Sequence, residues 1–276
     1  MKNRIISFSL WFLAVILMLV LAVYQRMTGP TNPIRGSITL QGETYRYKLP
    51  RSANVGQDAV FEMHLPEGTK TVFRHKRFKS HDDWTVDTTT AKNGTLKIFI
   101  PEQIAAGKVI YQISINNNGT FVPLNDEDIV IRFKGAVPAL VLIPHIILMF
   151  LAMVFGLRTG FEALFKRKNS YIFTIVTTLF FFVGGFVFGP IVQQYAFGTY
   201  WTGLPFGNDL TDNKTLIAFV FWIMTWLVLY RNKKNRIMPI LATLIMLAAY
   251  LIPHSTSGSE VDFTQEENKT KTEQLP

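Results

Sequence analysis

Two histidines that could bind a metal or carry a proton follow the same tripeptide. Leu142-Ile143-Pro144 precedes His145, and Leu251-Ile252-Pro253 precedes His254. Imidazole groups bind zinc, iron and copper, and two histidines from different helices can hold a haem iron from both sides. Neither histidine belongs to a His-x-x-His or Glu-x-x-His pair, so the spacing selects no metal. The simpler interpretation is that His145 bonds a carbonyl of a neighbouring helix and that His254 follows a helix-ending proline.

A second group of polar residues lies in one short stretch, where Asp209 and Asp212 are followed by Asn213 and Lys214. Asp209 has the position of a helix cap, a role that explains one carboxylate but not the other residues. We predict that these four residues, His145 and His254 line one polar pocket at the outer leaflet. The preceding stretch carries aromatic residues of the kind found at a membrane–water interface: Tyr195, Tyr200, Trp201 and Phe206.

Composition and missing motifs exclude several classes of protein. The chain has no cysteine, so it has no disulfide, thiolate metal site or catalytic thiol. It also lacks a P-loop, a Rossmann glycine motif, a Gly-x-Ser-x-Gly elbow and the helical zinc-protease motif. The net charge of +9 is divided among short clusters beside apolar runs. That arrangement is typical of membrane orientation rather than of nucleic-acid binding.

The candidate residues lie within or beside apolar runs that are long enough to cross a bilayer. Hydrophobic residues make up 49% of the chain and charged residues only 17%. We predict a membrane α-helical bundle with five spans: Ile5–Tyr24, Val137–Leu157, Tyr171–Val192, Leu216–Tyr230 and Ile237–Ile252. The first run is too long for a cleaved signal peptide and is followed by no Ala-x-Ala-like site. We therefore expect an uncleaved anchor over residues 1–27 and a four-helix domain over residues 136–254.

The distribution of lysine and arginine predicts the orientation. Residues 1–4, 158–169 and 231–236 are strongly basic and are expected on the cytoplasmic side. The segments expected outside are 25–136, 193–215 and the chain after Pro253. Residues 255–276 are acidic and are expected to form a disordered tail.

Residues 30–135 change to short runs with a period of two, which is typical of β-strands. We predict an extracytoplasmic all-β domain resembling the immunoglobulin sandwich. Its expected strands are 37–40, 45–49, 59–65, 71–78, 84–88, 96–100, 109–115, 120–123 and 129–133. The pairs Asn93-Gly94 and Asn118-Gly119 predict hairpin turns. Residues 73–84 are basic and aromatic, and we expect a strand with Phe73 inside and its cations on the solvated face. The alternative is that these cations contact anionic lipid headgroups or an acidic partner.

Several strings resemble a family of bacterial multi-pass inner-membrane proteins without an assigned activity. The strings that carry the likeness are Arg132–Pro138 through Pro144-His145, Gln194–Gly198 through Asp212–Lys214, Gly29-Pro30, and His254 through Asp262. The resemblance implies an inner-membrane location in a bacterium and no particular reaction.

Three functions remain open from the sequence. The leading expectation is a non-enzymatic accessory or assembly factor that acts at the outer face of the membrane. Its partners are the lipid bilayer and another membrane protein or complex, without nucleic acid. One alternative is a membrane-embedded redox protein whose metal or haem is bound by His145 and His254. The other is a transporter or channel with the polar residues at its outer mouth. The sequence identifies no cofactor.

Overall fold

The computed structural model describes residues 2–253, 258 and 260–264, which divide into two compact units. The helical unit comprises residues 2–30, 137–195, 199–253 and 258 of the described chain. The β unit comprises residues 31–136, 196–198 and 260–264. The β unit thus includes five residues that follow the last helix in sequence.

The helical unit contains six α-helices and one π-helical segment among the described residues. These are α1 (Lys2–Thr28), α2 (Ala139–Leu164), α3 (Ser170–Phe181), the π-helical segment (Phe182–Phe188), α4 (Gly189–Phe197), α5 (Leu210–Arg231) and α6 (Ile237–Leu251). Each of the five predicted apolar runs forms helix. Four helices, Arg4–Thr28, Ala139–Leu164, Ser170–Phe197 and Leu210–Arg231, are long and apolar enough to cross a membrane. Helix α6, with 15 residues, is apolar but shorter.

Two glycines let α2 and α6 approach closely. Gly156 and Gly160 are four residues apart on one face of α2. A Cβ atom at Gly160 would lie 2.8 Å from Oγ1 of Thr243, and one at Gly156 would lie 2.6 Å from Cε of Met246. The single hydroxyl proton of Thr243 lies between two carbonyls, that of Gly156 on α2 at 3.0 Å and that of Pro239 on its own helix at 2.8 Å from Oγ1. Small residues and an interhelical hydrogen bond are the usual means by which helices associate in a bilayer.

The π-helical segment changes the course of the third apolar run. The amide of Gly189 bonds the carbonyl of Gly184, five residues earlier, instead of the carbonyl four residues earlier. Gly184 also approaches α2 closely, since a Cβ there would lie 3.0 Å from Cβ of Leu148. The widened turn is therefore built where this helix meets α2.

The β unit contains ten strands among the described residues: β1 (Ile34–Leu40), β2 (Glu43–Leu49), β3 (Ser52–Asn54), β4 (Ala59–His64), β5 (Lys70–Arg77), β6 (Thr85–Thr90), β7 (Thr95–Ile100), β8 (Lys108–Asn117), β9 (Thr120–Pro123) and β10 (Ile129–Lys134). The largest sheet has the order β3-β10-β8-β5-β6, with β9 paired to β8. Strands β1 and β2 form a hairpin, and β4 pairs with β7. All pairs are antiparallel except β10 with β3, which is parallel.

The predicted strands agree with the structure because alternate side chains enter one core. In β8, Val109, Tyr111, Ile113 and Ile115 are buried while their neighbours are more exposed. All nine predicted strands are present, with ends shifted by up to three residues, and β3 is an addition. Both Asn-Gly pairs form tight turns, with φ of 52° and 71° at residues 93–94 and of 53° and 94° at 118–119.

The basic segment 73–84 has Phe73 buried, as predicted, but its cations have specific partners. Arg74 bonds Asp128 at 2.9 Å, and its guanidinium lies 4.6 Å from the Trp84 ring. Arg77 forms two hydrogen bonds with Asp82, of 2.8 and 2.7 Å. These bonds hold the pKa of Asp82 at about 2, although burial acts against that shift.

The tail expected to be disordered has a described part. Residues 260–264 belong to the β unit, and the amides of Val261 and Thr264 bond the carbonyls of Ala106 and Lys79. These five residues are therefore ordered rather than disordered, because Glu260 pairs with lysines of the β unit and two amides bond to its backbone carbonyls.

Candidate functional site

The first turn of α5 is capped by Asp209. Its Oδ1 accepts hydrogen bonds from the amides of Thr211 and Asp212, at 2.7 and 3.2 Å. These amides have no partner inside the helix, so a carboxylate at this position satisfies them and favours the positive end of the helix dipole. A Cβ at Gly258 would lie 2.5 Å from Oδ2 of Asp209, so Gly258 lies directly against this carboxylate.

Asp212 ties the loop before α5 to the end of α4. Its Oδ2 accepts from the amide of Thr202 at 2.7 Å, from Oγ1 of Thr202 at 3.3 Å and from Nε2 of Gln193 at 3.2 Å. Gln193 also donates to Oγ1 of Thr202 at 2.8 Å. The carboxylate is buried, so these donors replace the water that a charged group would otherwise require. Gln193 and Thr202 were not among the predicted site residues, although both are polar residues beside an apolar run.

The aromatic loop, which we define as residues 199–208, has further anchors. Oδ1 of Asn213 accepts from the amide of Leu204 at 2.7 Å. Nε1 of Trp201 donates to the carbonyl of Leu204 at 3.0 Å, and the Trp201 ring stacks on Phe186 with 5.6 Å between centroids. Gly203 leaves room for this arrangement, because a Cβ there would lie 2.5 Å from Cβ of Asp212.

The outward side of the aromatic loop is apolar. Tyr200, Leu204 and Phe206 are 62%, 52% and 83% exposed in the protein alone. The loop thus combines an inward network of polar bonds with an outward group of large apolar side chains.

Lys214 lies one turn into α5 and bonds to the end of α6. Its Nζ donates to the carbonyl of Ile252, the residue that follows α6. Gln25 makes a similar bond, of 3.0 Å, to the carbonyl of Tyr250. The last carbonyls of a helix carry partial negative charge, so a lysine there is favourable.

His145, on α2, bonds to the π-helical segment rather than to the residues at the start of α5. Its Nδ1 lies 2.9 Å from the carbonyl oxygen of Gly184, in the π-helical segment. Because a carbonyl only accepts, Nδ1 is the donor in this bond. The Cε1 atom lies 3.9 Å from a Cβ built on Gly189, one turn of α4 before Gln193. His145 is therefore about one helical turn, ~6 Å, from the level at which Asp212 is bonded.

The structure brings together four of the six predicted cluster residues. Asp209, Asp212, Asn213 and Lys214 share the start of α5, and His145 bonds separately to Gly184. His254 lies outside the described residues. Among the residues that are described, no three histidine, aspartate or glutamate side chains converge as a metal site would require. The arrangement of the four polar residues serves to hold a loop and two helix ends.

A second polar cluster lies inside the helical unit and was missed. We expected Arg158 in a cytoplasmic loop, but α2 continues to Leu164, and both Arg158 and Glu162 are fully buried. Glu162 accepts from Arg158 at 2.5 Å, from Arg167 at 3.0 Å and from the amide of Asn169 at 3.0 Å. The sequence signal was an arginine and a glutamate four residues apart on one helix face.

Two of the guanidinium nitrogens of Arg158, Nε and Nη1, have no hydrogen-bond partner among the described residues. The guanidinium lies 5.4 Å from the Trp11 ring and 5.2 Å from the Phe173 ring. Nη2 also donates to Oγ of Ser7 at 3.3 Å, so aromatic faces, one carboxylate and one hydroxyl contact this cation and join α1, α2 and α3.

No protein-family model, curated protein or solved structure matches this chain. The family resemblance of the sequence strings therefore has no support from a match.

Proposed function

We propose that this chain is a non-enzymatic accessory or assembly factor of the bacterial inner membrane, and that its aromatic loop binds a partner membrane protein at the outer face. The observation that carries the proposal is the two-sided construction of that loop. Asp212 and Asn213 fix it from inside, and Tyr200, Leu204 and Phe206 are exposed outside.

An anchored loop with exposed apolar side chains suits binding. Large apolar side chains supply most of the favourable energy of an interface, and a loop already held in place loses little conformational entropy on association. The ionisable groups beside it are engaged differently. Asp209 and Lys214 bond backbone groups of their own unit, and Asp212 bonds Thr202 and Gln193. These bonds favour a scaffolding role for the cluster over a reactive one.

The test is co-purification from native membranes in a mild detergent. The variant Leu204→Ser/Phe206→Ser removes exposed apolar surface from the loop. The matched control is Phe99→Ser on β7, which removes a side chain that is 58% exposed on the β unit. We expect one stoichiometric partner with the wild type and the control, and loss of that partner from the loop variant at unchanged melting temperature.

Retention of the partner by the loop variant would contradict the proposed surface. A visible absorption band or a stoichiometric metal in the purified chain would instead favour the redox alternative with His145 and His254. Flux through proteoliposomes that contain only this chain would favour a transporter or channel.

We further infer five membrane crossings, with the N-terminus inside and the β unit outside. The basic segments support this orientation. The length of the chain between α6 and Glu260 supports the inference that α6 crosses the membrane. Glu260 belongs to the β unit and follows Leu251, the last residue of α6, by nine residues. Nine residues of extended chain reach about 30 Å at most. That is less than the ~40–45 Å thickness of a bilayer with its headgroups. The end of α6 and the β unit therefore belong on the same side.

Single-cysteine labelling tests this orientation, because the chain contains no cysteine. Ser257→Cys, at a position outside the described residues, should react with an impermeant maleimide in intact spheroplasts. Asn169→Cys, in the exposed α2–α3 connection, should react only after lysis. The opposite pattern would reverse the topology.

We also infer that the β unit is an immunoglobulin-like sandwich. The pair β4–β7 and the row β6-β5-β8-β10 correspond in chain order to strands B and E and to strands C′, C, F and G of the variable type. Side chains from both groups, such as Phe61, Ile98, Tyr111 and Ile131, share one buried core, as two packed layers require. An experimental structure with β4 or β7 hydrogen-bonded into the larger sheet would contradict this assignment.

A further inference from the structure

The segment after the last helix occupies a basic groove on the β unit. We call residues 260–264, with the sequence Glu-Val-Asp-Phe-Thr, the strap. The carboxylate of Glu260 forms ion pairs with both Lys79 and Lys108, one through each oxygen. The Glu260 side chain is only 15% exposed, so this is an enclosed contact rather than a loose surface pair.

Backbone bonds fix the strap at both ends. The amide of Val261 donates to the carbonyl of Ala106 at 3.3 Å, and the amide of Thr264 donates to the carbonyl of Lys79 at 3.1 Å. Ala106 and Lys79 have φ of 66° and 52°, in the left-handed region that non-glycine residues rarely adopt. Both residues lie in turns, at 78–79 and 105–106, and these turns direct their carbonyls towards the strap.

An aromatic side chain fills the other end of the groove. Phe263 is 6% exposed, and the guanidinium of Arg77 lies 4.5 Å from its ring centroid. Arg77 is oriented by its paired hydrogen bonds to Asp82. Between the two anchors, Oδ1 of Asp262 accepts from the amide and hydroxyl of Thr264, at 3.1 and 2.5 Å, and so folds the strap into a turn.

The carboxylate of the strap meets a lysine that is nearly buried. Lys108 and Arg132 are both nearly buried, and their like charges repel. Burial and this repulsion lower the pKa of Lys108, and Glu260 acts in the opposite direction. For Glu260, burial acts to raise the pKa, but the bonds from Lys108 and Lys79 outweigh it and the pKa is lowered. The carboxylate of Glu260 therefore compensates the charge of Lys108 in this enclosed contact.

We propose that this groove is a recognition site for an acidic peptide with a phenylalanine three residues after a glutamate, and that the strap occupies it as an intramolecular ligand. The carboxylate meets Lys79 and Lys108, the phenylalanine meets Arg77, and the carbonyls of Ala106 and Lys79 accept from the peptide backbone. A peptide of the same sequence supplied in trans competes with the strap for the site. This inference does not depend on the proposed function of the aromatic loop.

The test uses the full chain in detergent and a fluorescent peptide with the sequence of residues 257–267. In one variant, Glu260→Gln/Phe263→Ala, the strap is disabled and the groove is free. This variant should bind the peptide at least tenfold more tightly than the wild type, because a tethered ligand competes at a high effective concentration. A peptide that carries the same two changes should not bind.

Changes in the groove provide the matched controls. In the strap-disabled chain, Lys108→Met should abolish peptide binding, because the carboxylate loses its most buried partner. Lys97→Met should leave binding unchanged, since Lys97 is an exposed lysine that pairs with Glu62 on β4. Equal binding by wild-type and strap-disabled chains, or equal binding of the altered peptide, would overturn the proposal.

A second measurement covers the case in which the strap-disabled chain does not fold. Excess unlabelled peptide added to the wild type should speed hydrogen exchange at the amides of Val261 and Thr264, because the strap is displaced. Unchanged exchange at these amides at millimolar peptide would also overturn the proposal.

Discussion

Removal of the Asp212 carboxylate should release the aromatic loop while the helices stay folded. In the wild type, one oxygen of Asp212 accepts three hydrogen bonds, two from Thr202 and one from Gln193. The Asp212→Ala variant loses all three and leaves the amide of Thr202 without this acceptor. The Asp212→Asn variant keeps a carbonyl oxygen at the same position and loses only the charge.

The size of the effect follows from those bonds. A hydrogen bond to a charged group contributes about 1.5–3 kcal/mol net, and bonds that share one acceptor do not add fully. We therefore expect Asp212→Ala to lower the free energy of loop opening by about 3 kcal/mol. That corresponds to an opening equilibrium about a hundredfold larger, at about 1.4 kcal/mol per factor of ten. We expect Asp212→Asn to lower the free energy of loop opening by roughly 1 kcal/mol, because a neutral acceptor replaces a charged one.

Hydrogen exchange measured by mass spectrometry on peptides that cover residues 199–209 is the assay. Protection of the amides of Thr202, Leu204 and Asp209 should fall in the order wild type, Asp212→Asn, Asp212→Ala. The control is Asn235→Ala, which removes the Asn235 side chain that accepts from the amide of Met238 at the start of α6. Protection that is unchanged in Asp212→Ala, or lost equally in the control, would refute the view that this carboxylate anchors the loop.

Three further changes test other parts of the molecule. Glu162→Ala should destabilise the chain by about 3–5 kcal/mol, because it leaves a buried arginine uncompensated. Arg158→Met/Glu162→Met should cost clearly less in detergent melting experiments, because it removes both buried charges, although the bonds of Glu162 to Arg167 and to the amide of Asn169 are still lost. The pKa of Glu260 is lower in the folded protein than in the unfolded chain, where it is ~4.3. The contribution of Glu260 to the free energy of unfolding is therefore complete above pH ~4.3 and is lost as pH falls through the folded-state pKa. The difference in melting temperature between wild type and Glu260→Gln should therefore be constant from about pH 7 to 5 and shrink towards pH 3. Gly160→Val should cost about 1–3 kcal/mol by overpacking against Thr243, and an undiminished melting temperature would contradict the close α2–α6 contact.

The parts of the fold that the sequence predicted are those where one local pattern is enough. The alternation of Val109, Tyr111, Ile113 and Ile115 predicts β8, because period two puts all four side chains on one face. Strand β3 was missed, because Ser52–Asn54 is too short to show a period, and its parallel pairing with β10 depends on distant residues.

The candidate site was predicted in part for the same reason. The position of Asp209 before an apolar run predicts a cap, and the structure contains that cap. The bonds of Asp212 to Thr202 and Gln193 depend on how the aromatic loop folds back towards α5. No periodic pattern in the sequence predicts that arrangement. Arg158 was misassigned because a cation near the end of an apolar run is usually outside the bilayer core, and its partner Glu162 becomes visible only when the helix continues.

The strap has a consequence for the order in which the protein is made. Lys108 and Glu260 are 152 residues apart in the chain. At about 5–20 residues per second, a ribosome needs roughly 8–30 s to make the intervening stretch. During that interval Lys79 and Lys108 lack the carboxylate that pairs with both of them in the structure. A nascent chain, or a product truncated before α6, therefore has an open basic groove that the full-length protein has closed. The groove thus distinguishes unfinished chains from finished ones.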